Sequence, residues 1–163
     1  MRKPGMILVG MADLNIAKAP GSLTTLGLGS CVGIAVFDPV NKIAGLAHIM
    51  LPDSRAISNN SNIAKFADTA TAKMVFDMVK MGADRKRLKA KIAGGAQMFN
   101  FTATNDNMRI GDRNIEAARA VLRTLNIPII AEDVGNTYGR TVELYAEDGK
   151  YLIKTIGHGQ KFI

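Results

Sequence analysis

Two runs of small and branched apolar residues, CVGIAVFD at 31–38 and KIAGLAHIML at 42–51, are separated only by the turn-forming PVN at 39–41. Runs of this kind bounded by turn residues predict two strands of a β-hairpin, and the rest of the chain must pack around it. MILVGMADLNIAKA, at 6–19, reads as one or two further short strands. After the polar LPDSRAISNNSN, residues Ile63, Phe66, Ala70, Met74 and Met78 recur at spacings of three and four. That spacing makes one apolar helical face, with residues 60–62 as possible N-caps and Gly82 as a stop. RLKAKIAGG predicts a strand ending at Gly94-Gly95. GDRNIEAARAVLRTLNIP predicts a second amphipathic helix with Asp112 near its start and Ile115, Ala118, Val121, Leu122 and Leu125 on its buried face. IPIIAEDVG reads as a short strand, and RTVELYAEDGKYLIKTIG as strand, Asp148-Gly149 turn and strand. Strands and two helices mix without regular βαβ alternation. The expected fold class is therefore α+β, a layered sandwich with helices packed on mixed or antiparallel sheets, rather than a doubly wound parallel sheet. No repeat, low-complexity tract or linker divides the chain, so a single domain over 1–163 is expected.

Composition narrows the function. The 163 residues suffice for a core without disulfides or structural metal, and one cysteine can neither bridge internally nor build a zinc site. That cysteine with nine methionines fits a reducing compartment. With no leader-like segment and no membrane-length apolar run, a cytoplasmic, soluble protein is expected. The net charge of +7 favours an acidic partner or nucleic acid. Much of the excess lies in KMGADRKRLKAK, which reads as a solvated helix end and loop. Aromatic residues are 6% with no Trp, and no nucleic-acid motif is present, which speaks against a nucleic-acid reader. GLGSCVG has glycines at 27, 29 and 33 and enters a strand, so it is not a dinucleotide fingerprint. Two histidines and one cysteine so scattered make no metal set, and neither metal nor cofactor is expected. His158, in the glycine-rich IGHGQ, reads as exposed. Glu132 and Asp133 sit at a strand end, where they could meet a partner.

Cys31 and His48 are the scarce residues, and the hairpin decides whether they meet. An even-length turn, Val40-Asn41 alone or residues 39–42, sets Asp38 opposite Ile43 and His48 opposite Gly33. Cys31 then shares the face of Gly33 as a diagonal neighbour of the imidazole, at a backbone spacing of roughly 7 Å or less. An odd loop would put the two on opposite faces. In this picture Gly33 leaves room for the ring to lean toward the thiol. An imidazolium beside a thiol lowers its pKa, and a third group must orient the ring, for which Thr24 and Thr25 are candidates. Gly27 and Gly29 either permit a tight bend or aim N–H groups at an oxyanion beside Cys31, the bend being the simpler reading. A buried inert cysteine and a structural histidine remain the plain alternative.

The string TLGLGSCVGIAVFDPVNKIAGLAHIMLPDS, followed in order by KFADTA, AKIAGGAQMF, IGDRN and AEDVG, resembles the chemoreceptor glutamine deamidases of bacterial chemotaxis, the CheD family, from about Gly10 to Tyr145. The resemblance implies Cys31 as nucleophile, His48 as general base and acid, and Thr25 as the residue that orients His48. It implies a layered sandwich related to bacterial toxin deamidases. The implied substrate is selected Gln side chains on chemoreceptor cytoplasmic helices, converted to Glu through a Cys thioester, with glutamyl methyl ester hydrolysis as a related reaction. It also implies a partner, a CheC-type chemotaxis phosphatase. A non-catalytic regulator that binds and stimulates that phosphatase is the alternative function.

Overall fold

Within the predicted hairpin, every residue of 32–38 and 43–49 is buried, because these two strands form the middle of a sheet covered on both faces. The computed structural model describes residues 5–98 and 109–163. Its strands are β1 (Met6–Leu8), β2 (Asp13–Lys18), β3 (Ser22–Leu28), β4 (Val32–Asp38), β5 (Ile43–Ile49), β6 (Lys89–Gly94), β7 (Ile129–Val134), β8 (Arg140–Tyr145), β9 (Tyr151–Thr155) and β10 (Gly159–Phe162). Two helices, α1 (Ala67–Lys80) and α2 (Ile110–Thr124), complete an α+β architecture. One sheet runs β1-β3-β8-β9-β10 and the other β2-β5-β4-β6-β7. Both are mixed, with β1/β3 and β6/β7 parallel and the remaining pairs antiparallel.

Period-two alternation along β4 sends Ile34 and Val36 to one face and Ala35 and Phe37 to the other. The first set packs with Ile49, Ile92, Met74, Met78, Ile115 and Leu122, the core under the two helices. The second packs with Leu23, Leu46, Val142, Leu144 and Tyr151, the core between the sheets. A strand apolar on both faces reads as an unbroken apolar run, which is why 31–38 shows no polar alternation.

The turn is even, as the hairpin reading required. Asp38 pairs with Ile43 and Gly33 with His48. Asp38, fully buried, sets the loop length: one carboxylate oxygen accepts from the Val40 and Asn41 N–H groups at 2.9 and 3.0 Å, the other from Asp84 N–H at 2.7 Å. Burial alone would raise this carboxyl, but the three N–H bonds and Arg87 hold it below its usual range.

One local expectation is corrected. Asn62 caps only a single 3-10 turn, Ile63–Lys65, and α1 begins at Ala67 after an extended Phe66. The cause is nonlocal: Met50 and Leu51 N–H bond the Lys65 carbonyl and Ala67 N–H bonds the Leu51 carbonyl, pulling this segment straight. Ile63 consequently stands 42% exposed, while Phe66, Ala70, Met74 and Met78 are buried as predicted. Asp112 lies in the first turn of α2, near its start as expected, and pairs with Arg109 at 3.7 Å. Beyond the turn that holds exposed His158, residues 159–162 form β10, paired antiparallel with β9.

The basic run is built into the fold rather than solvated throughout. Arg85 donates to the Leu125 carbonyl, Arg87 pairs with Asp84 at 3.3 Å, and buried Lys91 donates to the Gly149 and Ile163 carbonyls at 2.7 Å each. Among the described residues no helix is long and apolar enough to cross a membrane.

Candidate functional site

Residues 29–31 carry the chain from β3 in one sheet to β4 in the other, so Cys31 sits at the crossover. Just before it, the β3/β8 register shifts between Thr25 and Leu28, and Leu26 is left 57% exposed. Alternation along β3 sends Thr24 and Thr25 to opposite faces. Thr24 Oγ1 donates to the Val142 carbonyl at 2.7 Å, which occupies it away from the histidine. Thr25 Oγ1 lies 2.7 Å from His48 Nδ1 and 2.7 Å from the Val9 carbonyl.

Counting protons fixes the tautomer. The Val9 carbonyl can only accept, so the single Thr25 hydroxyl proton goes there, and Thr25 Oγ1 must accept from Nδ1–H of His48. A neutral His48 then carries its lone pair on Nε2. That atom is buried and has no hydrogen-bond partner among the described residues. The backbone of His48 is held on both sides, opposite Gly33 in β4 and opposite Asp13 in β2.

Cys31 is 8% exposed and immediately precedes the last ladder pair, Val32 with Ile49. Continuing that register places it on the face of Gly33 and His48, diagonal to the imidazole. Burial pushes the Cys31 thiol up, opposed only by its own backbone N–H, and burial pushes His48 down. Both shifts favour a neutral thiol beside a neutral imidazole at rest. They run against the expected imidazolium-stabilised thiolate, because burial disfavours the charged form of each group.

Gly33 has a different reason from the one its position suggested. A Cβ there would lie 2.5 Å from the Tyr151 hydroxyl oxygen and 3.1 Å from Leu28 Cδ1. Tyr151 fills the space and donates to the Gly33 carbonyl at 3.0 Å. The glycine therefore admits the tyrosine of the facing sheet rather than a leaning imidazole.

The other sequence candidates lie elsewhere. Exposed His158 stacks on Tyr138 with ring centroids 4.2 Å apart. Glu132 is bound by Arg119 at 2.7 Å and Asp133 by Arg140 at 3.1 Å and Lys161 at 3.3 Å, so both carboxylates are engaged in ion pairs within the chain. Sequence reasoning missed Asn114, fully buried in α2, whose Nδ2 donates to the Ser30 and Met50 carbonyls at 3.0 and 2.9 Å. A signal was present: Asn114 lies four and eight residues before Ala118 and Leu122, on the apolar face, where an asparagine needs a reason. The tract FNFTATNDNM, 99–108, lies outside the described residues.

These features define a class: an α+β two-sheet sandwich with a buried thiol and a tautomer-fixed imidazole on one face of its central hairpin. The family model for CheD, chemotactic sensory transduction, matches residues 50–155, and this chain belongs to the CheD family. It is 58% identical to the "Probable chemoreceptor glutamine deamidase CheD" of Caldanaerobacter subterraneus subsp. tengcongensis over 97% of this chain and 98% of that relative. It is 52% identical to the "Chemoreceptor glutamine deamidase CheD" of Halalkalibacterium halodurans, again over 97% and 98%. Among solved structures, the hypothetical protein YfiH of Bacillus licheniformis overlaps 77% of this chain and 51% of its own at a TM-score of 0.49 and 18% identity.

Proposed function

We propose that this protein deamidates glutamine side chains on the cytoplasmic helices of chemoreceptors, with Cys31 as nucleophile, His48 as general base and acid, and Thr25 as the residue that orients His48. The observation that carries the proposal is the buried, unpartnered Nε2 of a His48 whose Nδ1–H is committed to Thr25, on the face shared with Cys31. The names of the relatives supply the substrate class.

His48 Nε2 takes the thiol proton as the sulfur attacks the carboxamide carbon, and the carbonyl oxygen becomes an oxyanion. Nε2–H then protonates the leaving nitrogen, the C–N bond breaks, and ammonia departs from a thioester. Water, losing a proton to Nε2, attacks the thioester, and the returning proton regenerates the thiol and leaves glutamate. A glutamyl methyl ester would follow the same course with methanol leaving. A protein substrate suits the surroundings, since exposed Leu26 and the 46% exposed Met98, beside Gly29, give an apolar rim rather than a closed chamber. A CheC-type phosphatase is the proposed regulatory partner. The test is incubation with a receptor cytoplasmic fragment and mass spectrometry for amide-to-acid conversion at individual glutamines. Stimulation of the phosphatase without any conversion would replace this reading with the non-catalytic regulator.

Two expectations follow from the tautomer and the burial. Thr25→Val keeps the shape but frees the ring and leaves the Val9 carbonyl unpaired, so kcat should fall about tenfold to a hundredfold with KM little changed, on the scale of a loosened general base. Thr25→Ser should recover most of it, measured as deamidation per folded molecule. Second, alkylation of Cys31 by iodoacetamide should rise with pH through a midpoint above that of an ordinary thiol, because burial raises this one. The acid limb of deamidation should lie below the ordinary imidazole value of 6.5, because burial keeps His48 neutral there. An alkylation plateau extending to mildly acidic pH would instead indicate a resting thiolate–imidazolium pair.

A further inference from the structure

Three successive carbonyls at the crossover are each held by a donor on the side of β6 and α2. The Gly29 carbonyl accepts from Ala96 N–H at 2.8 Å, Ser30 from Asn114 Nδ2 at 3.0 Å, and Cys31 from Gly95 N–H at 2.8 Å. Both intervening peptide bonds are trans. In a trans peptide the C=O and the following N–H point in opposite directions. Fixing the Gly29 and Ser30 carbonyls therefore turns the Ser30 and Cys31 N–H groups away from β6 and α2. Among the described residues no acceptor takes either N–H, and that of Cys31 lies close enough to its own sulfur to favour the thiolate. Two free backbone donors beside a nucleophile are the makings of an oxyanion hole.

Of the three anchors, two are backbone amides and only Asn114 is a side chain. Its second Nδ2 bond, to the Met50 carbonyl at 2.9 Å, reaches the residue that the hairpin register would place opposite Cys31. The ladder ends at Val32 and Ile49, so one carboxamide ties together the two chain ends that carry Cys31 and lead out of His48. We infer that Asn114 is a positioning residue: by gripping the Ser30 carbonyl it aims the Cys31 N–H at the oxyanion of the tetrahedral intermediate and fixes the open end of the hairpin. The inference rests on the proposed role of Cys31 and not on glutamine being the substrate.

Two electrophiles separate this role from general support. In acylation by p-nitrophenyl acetate the Cys31 sulfur adds to a carbonyl, an oxyanion forms and p-nitrophenolate leaves. In alkylation by iodoacetamide a C–S bond replaces C–I and no oxyanion forms. Cys31 is the only cysteine, so both products are assigned by mass. In Asn114→Ala, acylation should fall about tenfold or more, approaching the loss of one oxyanion donor, while alkylation per folded molecule changes by less than about threefold. Asn114→Asp, of the same size but facing two carbonyls without the amide donors, should show the same selective loss and serves if the alanine variant folds poorly. Equal loss of both reactions, or a wild-type Cys31 that alkylates but does not acylate, overturns the inference. Selective ester loss in a protein that converts no receptor glutamine would remove the substrate assignment and leave the positioning role standing.

Discussion

Cys31→Ala is expected to take glutamine conversion to background, a loss of at least about a thousandfold, because the proposed mechanism runs through a thioester on Cys31. The sequence holds no second cysteine to substitute. Cys31→Ser should be nearly as inactive although it preserves the shape of the side chain, since a neutral imidazole is a poor match for a hydroxyl far less acidic than a thiol. His48→Ala should lose a similar factor, and the double variant Cys31→Ala/His48→Ala should be no worse than either single one, as groups acting in one step are not additive. Thermal unfolding separates chemistry from folding: removing one sulfur from a site 8% exposed costs about 1–2 kcal/mol, too little to unfold the protein. Conversion that survives in Cys31→Ala at the wild-type rate would end the proposed mechanism.

The hairpin that brings these residues onto one face was legible because its signal is local. Apolar runs and turn residues fix strand and loop, and the parity of a four-residue turn then decides the faces. What was illegible depended on the other sheet or on distant backbone. Spacing alone leaves Thr24 and Thr25 equivalent, the resemblance names Thr25, and the packing of β3 against β5 directs Thr25 to the imidazole and Thr24 to Val142. Gly33 was credited to its cross-strand neighbour because Tyr151, which occupies its space, arrives from 118 residues away. Strand β10 gave no signal because all four of its residues are exposed and its place is set by pairing with β9. The start of α1 was misplaced because its apolar spacing continues through residues that the chain after β5 holds extended. The thiol was expected to be acidic because proximity to a histidine was weighed without burial, and burial acts on both partners in the opposite sense.

Gly94→Ala is expected to be the most disruptive small substitution near the site, and its control shows why. A Cβ at Gly94 would lie 2.3 Å from the Cys31 carbonyl oxygen and 3.3 Å from Val32 Cα, and its φ of +110° disfavours any side chain. The neighbours are backbone and cannot swing aside, since the Cys31 carbonyl is held by Gly95 N–H and the Gly94 carbonyl by Gly135 N–H at 2.9 Å. Overpacking of this kind costs about 1–3 kcal/mol and the backbone conformation about 1–3 kcal/mol more. Gly135 also has positive φ, +81°, but a Cβ there meets nothing within 4 Å, so Gly135→Ala should lose only the conformational part. At about 2–4 °C per kcal/mol, Gly94→Ala should melt on the order of 10 °C below wild type and several degrees below Gly135→Ala. Because the displaced atom is the carbonyl of Cys31, the folded fraction of Gly94→Ala should also acylate more slowly than wild type, whereas Gly135→Ala should match it. Equal melting temperatures for the two variants would mean that the Cys31 peptide yields, and with it the rigidity on which the positioned N–H depends.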